Sequence, residues 1–100
     1  MPDKAYRIFL ENGFVIAVSI QMVEGRVVGF VVRLILIRCD EERDVARYDT
    51  AHGLPHLDLL TREGKVIEKR WIEGLSFGEA LNLAVEDFKQ NHEKYFDENR

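Results

Sequence analysis

Residues 26–39 constrain the fold more than any other segment of the sequence. They are mostly β-branched and apolar, which favours a β-strand over a helix. Both alternating faces of that strand are largely apolar, and such a strand needs cover on both sides. At about 3.3 Å per residue the strand would be roughly 40 Å long. The sequence therefore predicts either a bend at Gly29 or a partner subunit that covers part of the strand.

Turn signals separate this strand from several shorter apolar segments. Asn12-Gly13 is a strong two-residue hairpin signal because both residues tolerate a positive φ, and Glu24-Gly25 marks a second turn. The charged residues 40–44 are interpreted as a third turn, exposed at a hairpin tip. The sequence predicts strands at residues 5–10, 14–23, 26–39, 45–49, 56–61 and 66–72.

The last quarter of the chain has the pattern of one long helix. Ser76 and Glu79 form a capping box, in which each side chain satisfies a free backbone N–H at the helix start. Apolar residues then recur at three- and four-residue spacing on one stripe. The stripe contains Phe77, Ala80, Leu81, Ala84, Val85, Phe88 and Tyr95, with His92 inside it and Phe96 at its edge. We predict one α+β domain over residues 1–100: a five- to six-stranded antiparallel meander with the helix packed on one face.

Composition narrows the class of protein. Hydrophobic residues make up 46% of the chain and charged residues 32%, which is typical of a folded domain. The apolar runs are shorter than the roughly 20 residues of a membrane-spanning helix, so no membrane association is expected. A single cysteine and the lack of a leader pattern favour the cytoplasm. The net charge of −4 does not support RNA binding, although it leaves room for a local basic patch.

Residues 47–58 hold the densest group of side chains able to do chemistry. Arg47 and Asp49 share one face of a predicted strand, and His56 and Asp58 share one face of the next. If the two strands pair with these faces together, the four side chains converge beside His52. From this segment we take Arg47, Asp49, His52 and His56 as the candidate catalytic residues, the four that the family resemblance described below also marks.

Three functions and one structural role fit this group. His52, His56 and Asp58 could bind a divalent metal, since imidazole and carboxylate are suitable ligands. A histidine beside Arg47 could act as the general acid or base in metal-independent RNA cleavage. The loop could instead be a recognition surface for a protein or nucleic acid. In the structural alternative, Arg47 pairs with the aspartates and the histidines bond backbone carbonyls.

Residues 47–56, with the sequence RYDTAHGLPH, resemble a pattern in small prokaryotic proteins. The pattern is an Arg-aromatic-Asp-x-Ala segment followed by His, Pro and His. One similar branch is the TumE-type toxin family of toxin–antitoxin pairs, from which this chain departs at Gly53 and Leu54. The resemblance marks Arg47, Asp49, His52 and His56, and implies a sheet-and-helix module encoded beside a DNA-binding antitoxin.

Together with this resemblance, the patterns predict a small cytoplasmic prokaryotic protein, either toxin–antitoxin-like or of another small family, that acts on RNA through the loop with Arg47, Asp49, His52 and His56. The alternative is a non-enzymatic, homo-oligomeric protein-binding module in which the same loop is structural. The two-sided apolar strand at residues 26–39 favours a homodimer, and the resemblance implies an antitoxin as a second partner. The sequence identifies no cofactor and leaves open whether the protein is an enzyme.

Overall fold

A six-stranded antiparallel sheet and one C-terminal helix make up the fold, as the sequence predicts. The computed structural model describes residues 3–51 and 53–98. The strands are β1 (Lys4–Phe9), β2 (Phe14–Val23), β3 (Arg26–Arg38), β4 (Glu41–Asp49), β5 (His56–Leu60) and β6 (Val66–Trp71); a short 3-10 turn spans Glu11–Gly13 and the helix α1 spans Phe77–Glu98. The strands lie in the order β1-β2-β3-β4-β5-β6, so every strand pairs with its neighbours in sequence.

The long strand β3 has 13 residues, and the longest dimension of the molecule is 41 Å. A bulge in the β2–β3 pairing falls between Gln21 and Met22, next to the pair of Gln21 with Gly29. A Cβ atom on Gly29 would lie 2.7 Å from the Gln21 side-chain oxygen. Bulges bend and twist a strand, so the bend predicted at Gly29 coincides with a position where only glycine fits without a shift of Gln21.

The helix covers one face of the sheet, which we call the helix face, and the core lies between them. Phe88 is fully buried at its centre, where its ring packs against the rings of Tyr48 at 5.0 Å and Tyr95 at 5.4 Å. The predicted stripe supplies the contacts: the buried helix residues are Ala80, Leu81, Ala84, Phe88, His92 and Tyr95. The capping box also forms, with Ser76 and Glu79 exchanging hydrogen bonds of 2.9 and 3.1 Å.

Of residues 40–44, which the sequence predicts as a turn, Asp40 lies in the turn and residues 41–44 belong to β4. The turn is made by Cys39 and Asp40, which have φ of 52° and 65°, and β4 starts immediately afterwards. Two adjacent residues with positive φ match the twist of a tight hairpin, so no longer loop is needed. The charged residues therefore alternate across a strand: Glu42 and Asp44 lie on the face opposite the helix, which we call the open face, and Arg43 lies on the helix face.

A polar clamp made by two buried tyrosines and the half-buried Asp87 fixes the helix on the sheet. Asp87 on α1 accepts hydrogen bonds from the hydroxyls of Tyr48 at 2.6 Å and Tyr95 at 2.5 Å. Asn91, one turn further along the helix, donates to the other Asp87 oxygen at 2.8 Å. Burial first, and then the hydrogen bond to Asp87, raises the pKa of both tyrosines above the ordinary range. The folded state therefore binds the hydroxyl protons more tightly than the unfolded chain does.

Replacing Phe88 by Ala should lower the free energy of unfolding by about 3–5 kcal/mol, because it empties the centre of the core. Leu83→Ala is the matched control, since Leu83 is on the same helix but exposed; we expect it to change stability by no more than about 0.5 kcal/mol. Denaturant melts measure both values. Similar losses for the two variants would contradict the packing of α1 on the helix face.

The clamp should make the protein unstable in alkali. Because the tyrosine pKa values are raised by folding, their contribution is complete below about pH 10, where the unfolded tyrosines ionise, and is lost above it. The free energy of unfolding should fall by about 1.4 kcal/mol per pH unit for each tyrosine. Urea melts of the wild type and of Tyr48→Phe measure this slope. An equally steep decline in the double variant Tyr48→Phe/Tyr95→Phe would show that other groups cause it.

Candidate functional site

Strand pairing brings the chemistry-bearing residues of the central segment together on the open face. Arg47 lies opposite Asp58, and Asp49 lies opposite His56. The next strand, β6, places Lys69 opposite Asp58 and Trp71 opposite His56. The four side chains expected to converge, Arg47, Asp49, His56 and Asp58, are therefore neighbours, and His52 lies outside the described residues.

Ion pairs connect these groups across three strands. Arg47 lies 3.1 Å from an oxygen of Asp49 and 3.0 Å from Asp58, and Lys69 Nζ lies 3.2 Å from the other Asp58 oxygen. The residue exposures are 7% for Asp49, 1% for His56 and 2% for Asp58. Charges this deeply buried persist only when they are paired. We call this group of five, Arg47, Asp49, His56, Asp58 and Lys69, the ion network.

The contacts of the two ring nitrogens of His56 indicate which of them carry a hydrogen. Nδ1 lies 3.1 Å from the carbonyl oxygen of Leu54, so this nitrogen donates its hydrogen. Nε2 lies 2.9 Å from Asp49 and 3.7 Å from Asp58. A nitrogen that faces carboxylates either carries a hydrogen, which makes the ring an imidazolium, or offers its lone pair to a metal ion. In the imidazolium form His56 is a third cation for the two aspartates.

The charges around Asp58 hold it in its ionised form. Burial by itself raises the pKa of this carboxyl group, but the hydrogen bonds from Arg47 and Lys69 and the charges of His56 and Lys69 outweigh it. The pKa of Asp58 is therefore lower than its ordinary value. Folding stability that depends on ionised Asp58 is present at neutral pH and is lost only as the pH falls through this lowered pKa.

Three residues of the ion network lie close enough together to bind one metal ion. Ligand atoms of Asp49, His56 and Asp58 all lie within 4.8 Å of one another. The hydrogen bond from His56 Nδ1 to a carbonyl is also the usual support for a histidine that binds metal through Nε2. Arg47 and Lys69, however, already neutralise the two carboxylates. An added divalent cation would have to displace them or bear their repulsion.

The loop before β5 is shaped by its own hydrogen bonds. The Ala51 N–H donates to Asp49 at 3.0 Å, and the Gly53 N–H donates to the Thr50 carbonyl at 3.1 Å. Gly53 has φ of 92°, a conformation that glycine adopts without strain, and Pro55 after it is buried. Together with the ion pairs of Arg47 and the bond of His56 to the Leu54 carbonyl, these contacts are the kind expected in the structural alternative.

Two members of the site are not among the residues picked from the sequence. Lys69 neutralises Asp58, and the ring of Trp71 packs against His56 with centroids 4.9 Å apart. The signal was present in the β5–β6 hairpin, where residues 56, 58, 69 and 71 share a face once the strands are registered. The sequence does not give the register in which β5 pairs with β6, because a bulge between Leu59 and Leu60 changes which residues face each other.

Comparison with known proteins gives a family but no activity. A model described as Domain of unknown function (DUF7718) matches residues 1–99. The chain belongs to the DUF7718 family. No curated protein and no solved structure matches it significantly. The DUF7718 description names no reaction, so the resemblance to TumE-type toxins stays a prediction. Among the described residues no helix has both the length and the apolarity needed to cross a membrane.

The ion network should behave as a structural element. Asp58→Asn keeps the shape of the side chain but removes its charge, and leaves Arg47, Lys69 and His56 facing one another. We expect it to lower the free energy of unfolding by about 3–5 kcal/mol. Asp44→Asn, the matched control, breaks the partly exposed ion pair with Arg33 and should cost less than about 1 kcal/mol. Equal melting curves for Asp58→Asn and the wild type would rule out this role.

Proposed function

We propose that this DUF7718 domain is a non-enzymatic protein-binding module that forms a homodimer through the edge strand β6. One observation supports this most: all six residues of β6 are exposed, although β5 beside it is fully buried. Three of the six are large and apolar, with exposures of 47% for Val66, 53% for Ile67 and 48% for Trp71. An open edge with such side chains is a template for pairing with another strand.

The backbone of β6 is oriented for such pairing. The Ile72 N–H donates to the Pro55 carbonyl at 2.9 Å, which fixes the direction of that amide towards β5. Backbone groups alternate along an antiparallel strand, so the amides of Lys69 and Trp71 point away from the sheet. A second β6 can therefore bond to them in an antiparallel arrangement about a two-fold axis.

Charge favours one register for this pairing, in which the ion pair that Glu68 and Arg70 form within each chain is extended to the second copy. With the axis at Lys69, Glu68 faces Arg70 of the second copy, and Ile67 faces Trp71 of the second copy. The first pair is complementary in charge and the second is apolar, and each occurs twice by symmetry. The two Lys69 side chains meet at the axis, where each is neutralised by Asp58 of its own chain. Shifting the axis to residue 68 would place Glu68 against its own copy.

The other edge strand is less suited to self-pairing. A two-fold axis at Tyr6 in β1 leaves Lys4 against Ile8 and Arg7 against Ala5, with no complementary charges. The homodimer predicted from the apolar residues on both faces of β3 must form through another surface. On the open face β3 carries Arg33, which is paired with Asp44, and Ile35, which is buried within the chain. The exposed edge of β6 supplies that surface.

Action on RNA, with an antitoxin as partner, is the rival function. It draws on the exposed parts of Arg47 and Lys69, whose side chains are 34% and 35% exposed above the buried carboxylates. His56, the candidate acid or base, is 1% exposed. The ion pairs of the open face also balance four cations, Arg7, Arg33, Arg47 and Lys69, against four carboxylates. Ribonuclease activity of the purified wild type that disappears in a folded His56→Ala variant would favour the rival.

Light scattering coupled to gel filtration tests the dimer. We expect the wild type to be dimeric at tens of micromolar and Ile67→Glu to be monomeric, because a charge then faces Trp71 of the second copy. Val23→Glu is the matched control, since Val23 is equally exposed but lies at the β2–β3 turn. A wild type that stays monomeric, or a control that dissociates as readily, would reject the proposal.

A charge exchange tests the register itself. Glu68→Arg alone and Arg70→Glu alone should each weaken the homodimer, because like charges then face each other across the axis. A mixture of the two single variants should form a heterodimer with every charge matched. Failure of the mixture to associate, with both variants folded, would show that Glu68 and Arg70 do not face each other.

A further inference from the structure

Three arginines from separate segments gather at the end of the sheet beside the last turns of α1. Arg38 ends β3, Arg43 lies in β4, and Arg62 lies in the turn between β5 and β6. Together they line a pocket of about 250 Å³, whose wall is completed by Phe96. This position is separate from the edge used by the proposed dimer, and the inference below does not depend on that dimer.

None of the three guanidinium groups forms an ion pair with a described residue. In the described parts of the chain, no carboxylate comes within 4.0 Å of Arg38, Arg43 or Arg62. Arg7, Arg33 and Arg47, by contrast, each have a carboxylate partner. The Nε atom of Arg43 is also buried without a hydrogen-bond partner among the described residues. A buried donor left unpaired is costly, and an acceptor supplied by a ligand would remove that cost.

The ring of Phe96 holds two of these side chains in place. The guanidinium carbon of Arg38 lies 5.5 Å from the ring centroid, and that of Arg43 lies 5.6 Å from it. Cation–π contacts of this kind fix the planar groups while leaving their N–H edges free to donate. The donors are thus positioned before a ligand arrives, which lowers the entropic cost of binding.

The positive charges of Arg38, Arg43 and Arg62 repel one another. Burial, followed by the charges of Arg62 and Arg38, lowers the pKa of the Arg43 guanidinium. Among the described residues, Glu41 is the carboxylate that lines the pocket. Two neighbouring depressions hold further carboxylates: Glu93 and Asp97 beside Arg38, and Glu42, Asp44 and Glu63 beside Arg43 and Arg62. The pocket itself therefore has three positive charges against one negative charge.

We infer that this pocket binds a phosphate dianion, either free or as the terminal group of a phosphate monoester. Guanidinium groups pair with phosphate oxygens through two parallel hydrogen bonds, which makes arginine the preferred residue for such groups. Three converging cations match a doubly charged group better than the single charge of a phosphodiester. The volume of about 250 Å³ is below that of ordinary ligand pockets, so it fits the anionic group and leaves the rest of a larger ligand outside.

Isothermal titration calorimetry with inorganic phosphate tests the site in a buffer of low ionic strength. We expect the wild type to bind phosphate, and Arg43→Gln to bind it on the order of tenfold to a hundredfold more weakly. Arg26→Gln is the matched control: it makes the same change in net charge at an exposed arginine that lies at the start of β3. It should bind as the wild type does.

Thermal melts separate binding from folding. Without phosphate, Arg43→Gln should melt at or above the wild-type temperature, because it removes repulsion; if it fails to fold, Arg62→Gln in the exposed turn replaces it. Phosphate should raise the wild-type melting temperature more than chloride does at equal ionic strength. Equal effects of the two anions, or equal phosphate binding by the wild type and the arginine variant, would overturn the site.

Two further ligands identify the form of the phosphate. A nucleoside 5′-monophosphate that binds with the same dependence on Arg43 would support a monoester site. An RNA oligonucleotide without a terminal phosphate should bind no more tightly to the wild type than to Arg43→Gln. If the oligonucleotide binds through these arginines and inorganic phosphate does not, the dianion assignment is wrong.

Discussion

The pairing of Asp58 with Arg47 and Lys69 is the interaction on which the second half of the sheet depends. Asp58 lies in the middle of β5, buried to 2% exposure, between Arg47 of β4 and Lys69 of β6. Its ionised state is held by these neighbours and by His56, and without them a buried carboxylate would be severely destabilising. The same contacts fix the lateral order of three strands on a face that no helix covers. We therefore expect residues that look catalytic in the sequence, such as Asp49 and His56, to stabilise the sheet.

This arrangement explains how β6 can be fully exposed and still stay ordered. The helix packs mainly on β2, β3 and β4, so β6 draws little support from the main core. Its attachment comes from the backbone ladder to β5, from Lys69 on Asp58, and from Trp71 against His56. A strand fixed on one side and open on the other is suited to pairing with a second copy. By holding β6 against β5, the ion network therefore also holds the open edge that the proposed dimer uses.

The fold followed from local patterns, whereas the site needed long-range register. The capping box at Ser76 and the stripe through Phe88 define α1 within one continuous segment, so periodicity alone predicts it. The turn at Cys39-Asp40 escaped prediction because it contains no glycine, and its positive φ values are visible only in the backbone. The convergence of Arg47 with Asp58 could be anticipated from strand alternation. The burial of His56 could not, since it depends on Trp71 and on a bulge in the β5–β6 pairing.

Amide hydrogen exchange in β6 tests most directly whether this strand is both held from one side and used as an interface. The amides of Lys69 and Trp71 face outward, while that of Ile72 is bonded to Pro55. The dimer account predicts slow exchange at Lys69 and Trp71 at high protein concentration and fast exchange on dilution, with Ile72 protected throughout. Fast exchange at Lys69 and Trp71 at every concentration, beside a protected Ile72, would contradict pairing through β6.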